Sequence, residues 1–600
     1  MKKGEPGDIG PEQNRHLTRR RFLKGGLLAA GAIAGGDAII RATAGASDQA
    51  APTPPSEPIA AHGAVPGPTT RPPNILVILV DQMRYPQWLT PTAFLGGLPP
   101  NVARLRRGSV SFAHHYTVSN DCTPSRSALL TGLYTHQTGC MITGGSTLDH
   151  GFPTWGTMLR EHGYRTRWYG KWHLTHRDNH WTSLDGEPAL ERYGFAGGTF
   201  PSPDGGPGQG WKVDPQVSAQ FIEWLQAEGR QEPWCTTVSF VNPHDIAWWY
   251  VWSNRVPDEV FAPPELGRLP PNYETPELLL DRRKPQLQRS LQATAATSFG
   301  PVPFHGPESL EKWLAFQNLY VKLQLEVDRH IGSVLAALES NPSVAENTVV
   351  VFTSDHGEYG GSHGLRGKGA SAYEEAIRVP LMVRDPRGLL TAATEQERTQ
   401  LTSSVDLAPL LLTIASGGSA WRREHRYAHL ARRLDISSIL ADPSAPGRSF
   451  VLHATDETVT EFAIEPYAAA APLHVTAIRT PRAKFATYDH WEYQSIEPIS
   501  RGTEVELYDY STQEGRLELE NSAGRSPIEE SLRSQLSSAI NEELREPLPH
   551  PLADAHIRGF ADYFSTARHA ALGAAARRKL RSERLVGHLP PGDTGGAHRH

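Results

Sequence analysis

Three short apolar runs, each closing on a charged or metal-capable residue, constrain the fold of this chain more than any other feature. Ile75 to Val80 run without a polar residue and stop at Asp81. Thr236 to Val241 stop just before His244, and Val349 to Thr353 just before Asp355. Such runs, continuous in the first and broken only by Thr and Ser in the other two, predict strands buried on both faces, as in a parallel sheet covered by helices on each side. From Pro307 to Ser340, Leu310, Trp313, Tyr320, Leu323, Val327, Ile331, Val334 and Leu338 form one apolar stripe. Their spacing of three or four residues predicts a long helix leading into the strand before Asp355, as in a βαβ unit. Sites in open α/β sheets gather beyond the carboxyl ends of the strands. A single aspartate there can simply cap the next helix. Three ends of the same kind point to one site.

The fold class expected is α/β, with a large mixed, mostly parallel sheet flanked by helices over residues 73–445. After about residue 445 the texture changes. "RSFVLHATD", "LHVTAIRTPRAKFATYD" and "TEVELYDYSTQEG" read as antiparallel strands with turns, including a hairpin over Val475 to Thr487. Helices follow at about Ser526–Glu543 and residues 553–583. Residues 446–585 therefore read as a smaller C-terminal α+β subdomain, and residues 586–600 as a disordered tail.

The first residues read differently. Thr18 to Lys24 is "TRRRFLK", a weakly apolar stretch follows from Gly25 to about Gly36, and small residues suited to cleavage surround Ala44 and Ala46. This is the pattern of a twin-arginine export signal over residues 1–46. The apolar run is too short, and too rich in Gly and Ala, to span a membrane comfortably. Residues 47–72, rich in Pro, Ala and Thr, have too little apolar content to pack and read as a disordered linker. The expectation is export by the twin-arginine translocase to the periplasm or exterior of a bacterium, with no stable membrane span. The net charge of −6 carries no basic excess that would suit nucleic acid. Three cysteines, Cys122, Cys140 and Cys235, cannot make a disulfide framework.

Cys122 is set among Asp121, Thr123, Pro124, Ser125 and Arg126, polar company for a thiol. A turn before a helix explains it, and so does a nucleophile held at a helix start. Asp81, Gln82, Asp355 and His356 offer three oxygens and one imidazole from two strand ends. That donor set suits a hard or borderline divalent cation such as Ca²⁺, Mg²⁺ or Mn²⁺. "GYRTRWYGKWHL" brings Lys171 and His173 to the end of another strand, and a Gly-rich loop carries Lys368. With His244 and Arg126 these groups suit an anionic ester whose hydrolysis builds charge on oxygen. Trp248, Trp249 and Trp252 form either a substrate wall or a packed aromatic insert.

"CTPSRSALLTG" resembles the nucleophile signature of the type I sulfatases, formylglycine-dependent members of the alkaline-phosphatase-like superfamily. "GYRTRWYGKWHL" resembles that family's second signature. "VDQ", "NPHD" and "SDHGE" match in the family's order, and "ELYDYSTQEGRLELENSA" resembles its usual ending. The resemblance implies a sulfuric ester hydrolase. A separate formylglycine-generating enzyme would oxidise Cys122 before folding. The hydrated aldehyde would attack sulfur through one hydroxyl, the alcohol would leave, and the second hydroxyl would expel sulfate. The resemblance further implies that Asp81, Gln82, Asp355, His356 and the modified Cys122 bind the metal, by default Ca²⁺. Arg126 would support the hydrated aldehyde, and Lys171 and Lys368 would contact sulfate oxygens. His173 would take the proton from the hydrated aldehyde, and His244 or Lys368 would protonate the leaving alcohol. The substrate class is a small-molecule or saccharide sulfate ester. Many family members have Asp at position 82 and Asn at 356. Gln82 and His356 also fit relatives that cleave phosphonate monoesters and phosphodiesters, so that reaction stays open.

Overall fold

The run Asn74–Asp81 forms strand β1, and every residue of it is buried. Its side chains alternate between two cores. Ile75, Val77 and Leu79 pack with Leu129, Leu130 and Leu411 on one face; Leu76, Ile78 and Val80 pack with Phe221, Val327 and Ile331 on the other. Burial on both faces is why no polar residue interrupts the run. Each buried aliphatic side chain contributes about 1.5–3 kcal/mol. These contacts come from a computed structural model that describes residues 71–91, 94–175, 183–184, 187–188, 190–255, 266–458 and 466–586. The expected export signal, the linker up to residue 70 and the tail from residue 587 lie outside the described residues.

The other strands of this sheet are β2 (Val110–Tyr116), β3 (Arg165–Gly170), β4 (Ala196–Gly197), β5 (Trp234–Pro243), β6 (Thr348–Ser354), β7 (Arg378–Arg384) and β8 (Thr402–Ser403). Their spatial order is β8-β2-β7-β6-β1-β5-β3-β4. From β6 to β4 all neighbours are parallel. β7 alone runs antiparallel to β6 and β2, so the sheet is mixed and mostly parallel. Val80 is opposite Phe240 and Ser354, and Gly170 is opposite Ser239. The carboxyl ends of β1, β3, β5 and β6 therefore finish side by side.

Helix α1 (Cys122–Thr131) covers one face together with the helix Leu407–Ser416. Helices α2 (Gln209–Glu228) and α3 (Ser309–Glu339) cover the other. The apolar stripe read from the sequence is the buried stripe of α3, with Trp313, Tyr320, Leu323, Val327, Ile331, Val334 and Leu338 all inside; Leu310 is exposed at its first turn.

Strands β9 (Val451–Thr455), β10 (His474–Arg479), β11 (Ala483–Trp491) and β12 (Pro498–Asp509) form a separate antiparallel sheet. One face sets Val475, Ala477, Ala486 and Tyr488 against Tyr359 and Tyr373 beside the first sheet. The opposite face sets Ile478, Phe485 and Leu507 against Leu532 and Leu536 of the helix Glu529–Ala539. A last helix spans Ala553–Val586. Among the described residues no helix is long and apolar enough to cross a membrane.

Candidate active site

Asp81 is the last residue of β1, and Asp355 and His356 follow β6 directly. Gln82 turns away from the strand at φ +68° and His173, beyond β3, at φ +57°. Non-glycine residues in this region carry strain that the surroundings must hold. Lys171 reaches the site because Gly170 permits a sharp exit from β3. At φ +94°, a Cβ on Gly170 would lie 1.9 Å from the Ser239 carbonyl oxygen, so no other residue fits.

Cys122 opens α1, with Asp121 at the cap position but making no cap hydrogen bond. The Asp121 carboxylate instead accepts from the Thr455 hydroxyl at 2.5 Å. Cys122 Sγ lies 3.2 Å from His356 Nε2 and 3.7 Å from Asp81 Oδ1. Lys368 Nζ approaches Sγ to 2.6 Å and Lys171 Nζ to 3.7 Å. Lys171 also pairs with Asp81 at 2.7 Å. The other two thiols differ. Cys140 and Cys235 sit in the apolar core, where burial pushes both thiols up. The odd sequence neighbours of Cys122 thus correspond to an odd place.

Arg126 is fully buried, and its N–H groups are spent on bracing the site. Nε donates to Asp355 at 2.8 Å and one terminal nitrogen to Asp81 at 3.1 Å. The other donates to the Lys171 carbonyl at 2.8 Å and to Ser239 at 3.0 Å. One guanidinium thereby ties together the ends of β1, β3, β5 and β6. Burial alone would raise Asp81, but the cations of Lys171, Arg126 and Lys368 overcome it and hold the carboxyl well below the usual range. Burial, with Lys171 next in size, pushes His173 and His244 well down, so both are neutral.

Asp81, Cys122, Asp355 and His356 present one donor atom each within 4.8 Å of one another. His356 Nδ1 lies 3.0 Å from the Gly357 carbonyl, to which it donates, so the lone pair on Nε2 faces the cluster. Gln82 is fixed the same way. Its amide nitrogen donates to Glu358 at 2.5 Å, which turns Oε1 toward Lys368 at 3.4 Å. Three oxygen donors and an imidazole, each oriented by a partner behind it, fit a divalent cation of the hard or borderline class. Glu358 was not singled out from the sequence. It accepts from the Gly360 and Gly367 amides at 3.0 and 2.7 Å, so it also anchors the loop that carries Lys368. Its place inside "SDHGE" was visible; its partners in the Gly-rich loop were not.

A pocket of about 40 Å³ opens beside this cluster, with Gln82, His244 and Lys368 at its inner end. Its walls are Ile246, Ala247, Leu291, Ala295, Phe299 and Phe316. None of Trp248, Trp249 and Trp252 lines it. Trp249 is buried in a core with Phe316, while Trp248 and Trp252 donate to the backbone carbonyls of Gly205 and Asp245. The three tryptophans are the packed aromatic insert, and Trp248 backs the pocket through Phe299 at a ring distance of 6.0 Å.

A sulfatase family model matches residues 73–418, more than half of the chain. The chain belongs to the sulfatase family. It is 28% identical over 382 residues to the uncharacterized sulfatase YidJ of Escherichia coli, which spans 57% of this chain and 68% of that one. To the choline-sulfatase of Rhizobium meliloti it is 26% identical over 391 residues, 58% of this chain and 68% of the relative. The solved phosphonate monoester hydrolase of Silicibacter pomeroyi shares the fold with a TM-score of 0.57 at 21% identity, over 80% of this chain and 96% of that one. The protein is a hydrolase of the sulfatase class, and the cluster at Cys122 lies within the matched region.

Proposed function

We propose that this sulfatase cleaves a sulfate monoester with a formylglycine made from Cys122 and one divalent cation held by Asp81, Gln82, Asp355, His356 and the modified Cys122. The convergence of His356, Asp81, Lys171 and Lys368 on the single Sγ atom of Cys122 carries this reading. When present, the hydrated aldehyde supplies the nucleophile and the cation supplies Lewis-acid stabilisation of charge on oxygen. Ca²⁺ is the expected ion, with Mn²⁺ or Mg²⁺ accommodated by the imidazole.

The remaining work falls to the chain's own side chains. Arg126 fixes the two carboxylates and the Lys171 backbone, so the donors keep their geometry as charge develops. Lys171 and Lys368 hold the sulfate oxygens by N–H donation. His173, kept neutral, accepts the proton from position 122. Lys368, whose ammonium lies closest to Sγ, donates the proton to the leaving oxygen, with His244 beside it. The apolar pocket takes the leaving alcohol and keeps bulk water away.

A phosphonate monoester or phosphodiester hydrolase is the second reading, favoured by Gln82 and His356 and by the shared fold with a phosphonate monoester hydrolase. A parallel assay of aryl sulfate, phosphonate monoester and phosphodiester decides between them: the first reading requires aryl sulfate to give the highest kcat/KM. We also propose a signal over residues 1–46, a linker over 47–72, a catalytic region over 73–445, a C-terminal subdomain over 446–585 and a tail over 586–600. Replacing Arg19 and Arg20 with Lys then blocks export through the twin-arginine translocase, and unimpaired export contradicts that assignment.

A further inference from the structure

The pocket beside Cys122 has a composition that its catalytic role does not require. Leu291, Ala295 and Phe299 recur every four residues along and just beyond the helix Gln286–Ser298, presenting one apolar face. Ile246 and Phe316 close the sides. Beyond the inner end formed by Gln82, His244, Gly367 and Lys368, the only charged side chain among the described lining residues is Arg366. It lies two residues before Lys368 in the same loop, and both line the pocket.

Arg366 is built in rather than solvated. One terminal nitrogen donates to the Gly300 carbonyl at 2.6 Å, and its guanidinium carbon stands 5.6 Å from the Phe316 ring centroid. Burial lowers its pKa to about 10, so it remains a cation at neutral pH. No carboxylate of the described residues pairs with it in a salt bridge; the nearest acidic influence is Glu358, which is itself engaged by Gln82, Gly360 and Gly367. A part-buried guanidinium with one neutral acceptor keeps unused donors, and these favour an anion over water.

Resting on the sulfatase reading above, we propose that the substrate is the sulfate ester of an apolar, ring-bearing alcohol that carries a second anionic group, and that Arg366 reads that group. The sulfate occupies the Lys171 and Lys368 end. At about 40 Å³ the pocket admits only an edge of the ring, which meets Phe299, Phe316 and Leu291, and the carboxylate or equivalent anion meets Arg366. A neutral saccharide would bury hydroxyls against aliphatic walls without partners, which costs about 1–3 kcal/mol for each unpaired group. A quaternary ammonium alcohol would meet a cation of like charge.

The test uses full-length protein with the aldehyde at position 122 verified by mass spectrometry. Phenyl sulfate, 3- and 4-carboxyphenyl sulfate, choline sulfate and glucose 6-sulfate are compared in wild type, Arg366→Gln and Arg366→Lys. Comparing ratios between variants cancels the different intrinsic reactivities of the esters. In Arg366→Gln, kcat/KM for the better carboxyphenyl ester, relative to phenyl sulfate, falls about tenfold or more, through KM, as expected for a lost charged hydrogen bond. Arg366→Lys retains most of that ratio. A ratio unchanged in Arg366→Gln for both isomers overturns the inference. So does a wild-type preference for choline sulfate or glucose 6-sulfate over phenyl sulfate. Both results leave the sulfatase reading standing. Turnover of none of these sulfates by aldehyde-bearing protein overturns the sulfatase reading and the inference with it.

Discussion

Among the described residues, two buried clusters bring together carboxylates and a histidine with metal-ligand spacing. One is Asp81, Cys122, Asp355 and His356; the other is His363, Glu375 and Glu518. Both include or adjoin a residue at positive φ, Gln82 in the first and His363 in the second. Their histidines differ. His356 gives Nδ1 to a backbone carbonyl and turns Nε2 toward Cys122. His363 has both nitrogens occupied, Nδ1 at 2.6 Å from Glu274 and Nε2 at 3.1 Å from Asn272, and its ring stacks on Tyr373 at 3.7 Å. The carboxylates differ as well. Glu518 pairs with Lys484, and Glu375 with Arg84 at 3.8 Å. At the first cluster the donors face one atom at the end of a pocket; at the second they face one another. Buried charge becomes a site only where the partners behind each donor leave its lone pair directed at a common point.

The largest effect expected is at the centre of the first cluster. Cys122→Ala should lower kcat/KM on the order of 10⁴-fold or more, the scale seen when a nucleophile is removed, with an unchanged melting temperature. Asp355→Asn should cost activity and bound metal together, because it removes one donor and half of the Arg126 brace. Metal analysis of the purified protein reads this directly. Glu375→Gln, at the other cluster, should leave metal content unchanged. If Asp355→Asn keeps its metal, or Glu375→Gln loses it, the contrast between the clusters fails.

Glu358→Gln sharpens the same contrast at the first cluster. It leaves the ligands in place but disturbs Gln82 and the Lys368 loop, so metal affinity or kcat should drop about tenfold to a hundredfold, as for other groups that orient ligands. An effect on melting temperature alone would mean Glu358 only supports the fold.

The smallest effect belongs to Glu274, the carboxylate that holds His363 of the second cluster, and appears in stability. Burial would raise Glu274, but Lys284, His363 and Arg282 hold its carboxyl below the ordinary value of 4.5. A carboxylate depressed in the folded state contributes stability that is present above about pH 4.5 and lost as acid titrates it. Glu274→Gln should therefore destabilise the protein by about 1–3 kcal/mol at pH 7. The gap to wild type should narrow as pH falls below about 4.5, in denaturant melts at a series of pH values. A gap that widens in acid would contradict the assignment.

Much of the first cluster was legible in the sequence because its residues sit at the ends of apolar runs. Burial on both faces produces those runs, so Asp81, His244 and Asp355 were marked by where hydrophobicity stops. The antiparallel direction of β7 was not legible, since "RVPLMVR" has the same local pattern whichever way it runs. Glu358 was hidden for a related reason: besides the Gln82 side chain its partners are the Gly360 and Gly367 backbone amides, which leave no trace in residue identity. The pocket walls come from Ile246, from the helix Gln286–Ser298 and from α3, segments far apart in the chain. No local pattern joins them: the rings that line the pocket, Phe299 and Phe316, stand far in the chain from the tryptophans next to Ile246. The second cluster was invisible because glutamates and lysines scattered between residues 274 and 518 look like ordinary surface charge.

The central claim is that the residue written as Cys122 works as an aldehyde, and mass spectrometry of the peptide spanning it tests this most directly. In protein co-expressed with a formylglycine-generating enzyme, the peptide should carry the aldehyde, and sulfatase activity should rise in proportion to the converted fraction. Full activity from protein in which Cys122 is entirely an unmodified thiol would contradict the account.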